Sequence, residues 1–159
     1  GDIGVTFAML LNLASVCNTE DRDVLWHFIS RYRPGATPEN APTLDRLTEY
    51  AIEYFRDFVK PGTAYRTPDD AERAALEALD AALAKLPGDA AAEDIQSQIY
   101  EIGKRHYGED LKSWFTALYE TLLGQSTGPR MGSFVVLYGL DETRALLGRV
   151  LGGEDLGPG

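Results

Sequence analysis

The residues best placed to do chemistry are Gly128-Pro129-Arg130-Met131-Gly132-Ser133, a turn followed at once by a cation. Proline fixes φ and lacks only an N–H that the first helical turn leaves unpaired, so Gly128-Pro129 turns the chain and starts a helix. Arg130 then stands beside the free N–H groups and positive dipole end of that helix. A lone cation gains nothing from the dipole there. An anion shared by Arg130 and the amides around Met131 and Gly132 explains the placement. Phosphate or a nucleic-acid edge is the natural candidate, and a buried salt bridge to a nearby acid is the alternative. Gly132 lets the backbone come close to a ligand.

Three further basic groups belong with it. Lys104 and Arg105, with His106 and Tyr107, close a predicted helix. The dipole alone accounts for cations there, and RNA-phosphate contact is the competing reading. Arg31 and Arg33, on either side of Tyr32, end another helix in the same way. Lys112 falls in the first turn of its helix, where the dipole disfavours a cation. It is read either as a phosphate contact or as a solvated side chain. Trp26 and Trp114 occupy apolar positions and are read as core.

No constellation for bond-making chemistry accompanies these residues. His27 and His106 are the sole imidazoles and Cys17 the sole thiol. No H-x-x-x-H, C-x-x-C, phosphate-binding glycine loop or G-x-S-x-G elbow occurs, so neither a catalytic site nor a metal site is expected. Cys17 lies in an apolar run and reads as a buried, inert thiol in a reducing cytoplasm.

The net charge of −10 argues against a generic nucleic-acid binder, but it is uneven. Residues 35–97 hold 13 acidic and 6 basic side chains, while residues 98–149 hold 6 of each. The ends can therefore present local positive surface, which matters within a Debye length of about 8–10 Å. No apolar run approaches the ~20 residues of a membrane span. The chain begins Gly1-Asp2 without Met, which reads as a segment of a longer protein.

The positioning elements are all helical. Phe7, Leu10, Leu11 and Ala14 line a helix over about 4–17, and Val24, Leu25, Phe28, Ile29 and Tyr32 line a second. Thr43 is expected to cap a third, whose apolar set runs from Leu44 to Phe55, Phe58 and Val59 before Pro61-Gly62. Thr67-Pro68 should open a fourth, Asp89 a fifth through Ile95, Ile99 and Ile102, and Asp110 a sixth with Trp114, Phe115 and Leu118. A short helix follows Pro129, and Asp141 caps the last. The expected fold is an all-α bundle or cage of about seven or eight helices over residues 1–151. It can divide into halves 1–62 and 67–151, with a disordered tail at 152–159.

Several separated segments resemble one family. Residues 7–16, Asp23-Val24-Leu25-Trp26 and Asp57-Phe58-Val59-Lys60-Pro61 resemble the start of the C-terminal region of class I lysyl-tRNA synthetases. The stretch from Gly128 to Phe134, then Leu137-Tyr138-Gly139 and Thr143-Arg144, resembles that family's C-terminal end. The resemblance implies an α-helical, cage-like anticodon-binding domain similar to that of class I glutamyl-tRNA synthetases. It implies that the lysine tRNA anticodon stem-loop is the partner, and that a Rossmann domain of the same parent chain uses ATP to activate lysine. The HIGH and KMSKS class I signatures are absent, so this segment is expected to bind no cofactor and to catalyse nothing alone. The expected tRNA-contacting residues are Arg130, Met131, Gly132, Lys104, Arg105, Lys112, Arg31 and Arg33. The alternative function is an acidic helical protein-interaction scaffold that binds no RNA.

Overall fold

The computed structural model describes residues 4–154 and 156. They form eight α-helices, and no strand occurs among them. The chain divides between Gly62 and Thr63 into two compact units.

In the first unit, α1 (Phe7–Cys17) starts where Thr6 Oγ1 accepts the Met9 N–H at 3.2 Å. Helix α2 (Arg22–Tyr32) starts at Asp21, whose carboxylate accepts from Asp23 N at 2.9 Å. Helix α3 (Pro42–Tyr54) begins two residues earlier than the expected Thr43 cap allows, because Pro42 itself takes the first helical position after Ala41. Leu10, Leu13, Leu25, Ile29, Ala51 and Phe55 close this unit's core. Trp26 packs in it and donates Nε1–H to Asp45 Oδ1 at 2.9 Å.

Beyond Tyr54 the helix widens into a π-helical turn, Phe55–Val59, then a 3-10 turn, Lys60–Gly62. The wider turn advances the register, so Phe58 leaves the apolar face on which a regular helix would put it. It is 70% exposed, not core as its spacing predicts. Tyr54, itself 45% exposed, joins it to Phe7 through ring contacts of 5.0 and 5.7 Å.

The second unit is built on α4 (Asp70–Ala84) and α5 (Ala92–Tyr107). Asp69 caps α4, not Thr67. Its side chain accepts from Glu72 N at 2.8 Å while Glu72 accepts from Asp69 N at 2.9 Å, a reciprocal box that fixes the start. Helix α5 begins after Ala91, two residues later than the expected Asp89 start allows, because Pro87 to Ala90 close a turn first. Helix α6 (Leu111–Leu118) is capped by Asp110 and runs into a second π-helical turn, Tyr119–Leu123. There Thr121 Oγ1 donates to Ala117 O at 2.7 Å and competes for the carbonyl of the regular ladder.

Helices α7 (Met131–Tyr138) and α8 (Leu140–Leu151) complete the unit. Gly139, at φ 112°, separates them and takes the capping place expected of Asp141, which lies in α8's first turn. Leu76, Leu79, Ile95, Ile99, Trp114, Leu118, Phe134 and Leu147 are buried here. Trp114 is fully buried and donates Nε1–H to Ile99 O at 3.0 Å. Part of the tail expected to be disordered, 155 and 157–159, lies outside the described residues. The Gly152, Gly153 and Glu154 N–H groups donate to the Gly148, Val150 and Arg149 carbonyls, and Arg149 pairs with Glu154.

Candidate nucleic-acid interface

Arg130 is held at the entry to α7. The helix begins at Met131 rather than at Pro129, and Arg130 occupies the extended capping position with φ −62° and ψ 116°. The reason lies in the turn before it. Gly128 sits against the ring of Tyr119 so closely that a Cβ there would lie 2.5 Å from Tyr119 Cδ1. The Tyr119 hydroxyl donates to Pro129 O at 3.0 Å. Together these bind the turn to the ring and leave the extended conformation to Arg130. Its guanidinium is exposed and donates from Nη1 to Ser133 Oγ at 3.2 Å. No carboxylate pairs with it among the described residues, so the salt bridge considered as an alternative is not formed there.

Gly132 and Met131 turn inward. The Gly132 N–H donates to Gln96 Oε1 at 2.6 Å, so it is already used inside the protein and is not offered to an outside anion. A Cβ on Gly132 would stand 2.3 Å from Ala92 O, which makes this glycine the close-approach point of α5 and α7. Met131 is 2% exposed and packs in the core.

A cavity of about 450 Å³ opens beside Arg130, lined by Gln96, Tyr100, Phe115, Tyr119 and Arg130. Tyr100 is 40% exposed; its ring meets Phe115 edge-on at 5.5 Å, and Phe115 meets Tyr119 at 6.3 Å. Burial, with the neighbouring Tyr100, pushes the Tyr119 hydroxyl above its ordinary pKa, so it stays protonated. Residue spacing alone missed Gln96, Tyr100, Phe115 and Tyr119. The readable signal was two i, i+4 pairs, 96 with 100 and 115 with 119, each placing two side chains on one helix face.

The other cations are dispersed. Lys112, exposed in α6, lies one turn before Phe115 on the same side of that helix and has no carboxylate partner among the described residues. Lys104 is exposed and lies 3.6 Å from Glu101. Arg105 lines a different cavity, shared with Ala82, Lys85 and Leu86. Arg31 and Arg33 belong to the first unit, where the Arg31 guanidinium sits 5.1 Å above the Phe28 ring and Arg33 N donates to Ile29 O at 2.8 Å.

The chain is 50% identical over 150 residues to a lysine–tRNA ligase of Roseobacter denitrificans, a match covering 94% of this chain and 28% of that protein. It is 49% identical over 144 residues to one of Rickettsia bellii and 46% identical to one of Rickettsia felis. This chain is homologous to a segment of lysine–tRNA ligases. It spans about 28% of the length of these relatives. No family model matches the chain, and no solved structure matches it. No helix among the described residues is long and apolar enough to cross a membrane.

Proposed function

We propose that this segment recognises the anticodon stem-loop of lysine tRNA as the C-terminal part of a lysine–tRNA ligase. Its own residues bind; they make and break no bond. Lysine activation with ATP and transfer to the tRNA belong to a Rossmann catalytic domain of the same parent chain, acting in translation in the cytoplasm. The observation that carries this reading is Arg130, exposed beside an aromatic-lined cavity with no carboxylate partner among the described residues, in a chain homologous to tRNA ligases. A cation left unpaired against stacking surfaces suits unstacked RNA, whose bases splay out onto aromatic rings while phosphates meet cations.

In this mechanism Arg130 and Lys112 meet loop phosphates or base edges, and Tyr100 offers a stacking face. Lys104 and Arg105 add phosphate contacts in the same unit, and Arg31 and Arg33 are phosphate contacts of the first unit taken by itself. Met131 and Gly132 act from inside, by fixing the start of α7. Holding the anticodon orients the acceptor end at the distant catalytic domain, so binding energy becomes positioning.

A second reading, a protein-interaction scaffold, draws on the exposed aromatic row of Tyr54 and Phe58. Binding of the intact protein to an anticodon stem-loop across a salt series separates the two. RNA recognition gives an affinity that falls linearly in log–log form as salt rises and drops when the anticodon is scrambled. Equal affinity for both loops removes the recognition claim.

A further inference from the structure

The cavity beside Arg130 is lined by an amide, that of Gln96, of which the protein's own hydrogen bonds use one end. Gln96 is 9% exposed, and its Oε1 accepts the Gly132 N–H at 2.6 Å. That bond sets the orientation of the amide. It leaves the NH2 group of this cavity-lining residue without a hydrogen-bond partner among the described residues. A donor with no protein partner at the wall of a cavity can serve an acceptor from outside the protein. The remaining lining points to the kind of acceptor. Arg130 adds guanidinium donors, steadied by Ser133. Tyr100, Phe115 and Tyr119 supply flat apolar faces, while the Tyr119 hydroxyl is committed to Pro129 O. Among the described residues no carboxylate lines the cavity.

We propose that this cavity takes one unstacked nucleobase by its keto edge, uracil or guanine in preference to cytosine or adenine. The assignment rests on the anticodon-binding role proposed above and goes further, because it names the pocket and the chemistry that it selects. Tyr100 stacks on the base. The Gln96 NH2 and the Arg130 guanidinium donate to its carbonyl oxygen. An amino base brings an N–H2 group against those donors and leaves both sides unsatisfied, which is how a hydrogen-bonding site rejects the wrong base.

The test uses the intact protein and anticodon stem-loops in which each anticodon base is changed singly between keto and amino forms. At one position the keto-to-amino change should weaken wild-type binding roughly 10-fold or more. Gln96→Glu keeps an oxygen for the Gly132 N–H and replaces the free donor by an acceptor. It should abolish or reverse the preference at that position and leave the other positions unchanged. Tyr100→Ala should weaken binding roughly 10-fold, and Tyr100→Phe should restore it. If wild-type binding depends on the anticodon but Gln96→Glu leaves every preference intact, or weakens all loops equally, the pocket assignment is overturned and the wider reading survives. If the wild type binds all loops equally, the wider reading falls first. Should Gln96→Glu lose helicity, the Tyr100 pair decides, and unchanged binding by Tyr100→Ala overturns the proposal.

Discussion

Arg66 and Arg130 show two uses of the same side chain. Arg66 grips Glu72 with two hydrogen bonds of 2.7 and 2.6 Å and reaches Glu120 at 2.7 Å. Arg130 rests on a hydroxyl alone. Arg130→Ala should therefore leave helicity and thermal midpoint near wild type while weakening stem-loop binding by about 1–3 kcal/mol if it reads a base. A collapse of helicity instead assigns Arg130 a structural role. Arg66 holds the Glu72 carboxyl below its usual range, with further help from the Asp69 N–H and opposition from burial. A carboxyl depressed in the folded state stabilises the protein above its unfolded value of about 4.3, and that contribution is lost as pH falls through the lower folded value. The thermal midpoint should drop as pH is lowered below about 4.3, and Glu72→Gln should flatten that drop. An unchanged pH profile in Glu72→Gln would show that the pair adds nothing.

At the scale of elements, the helices were legible because their apolar periods are regular, and their starts were not. Pro42 outcompeted Thr43 by taking the first helical position itself, and Asp69 outcompeted Thr67-Pro68 because its reciprocal box with Glu72 satisfies two backbone N–H groups. Phe58 was misplaced because a π-helical turn has no signature in the apolar period. The same limit applied to the site. Arg130 stood out by its sequence neighbours, whereas Tyr100 and Phe115 meet only once α5 and α6 are packed. Gly132 read as a backbone contact for a ligand, yet its close approach is to α5. Gly132→Ala drives a methyl group onto Ala92 O, a backbone atom that cannot swing aside. It should cost about 1–3 kcal/mol by overpacking, seen as a lowered thermal midpoint. A midpoint within error of wild type would mean that α5 and α7 separate without penalty.

For the molecule as a whole, net charge and local charge point in opposite directions. The chain carries −10, concentrated in residues 35–97, yet the cations that matter lie outside that stretch. The acidic body should oppose loose attachment to RNA at large while the exposed cations act at short range, within about 8–10 Å at moderate salt. The account thus predicts anticodon-dependent affinity rather than indiscriminate RNA binding. Its most direct test is the dissociation constant of the intact protein for the lysine tRNA anticodon stem-loop, measured beside a loop with the same bases scrambled. The prediction is binding to the native loop at least ~10-fold tighter and weakening with added salt. Equal affinities for the two loops, at any salt, would contradict it.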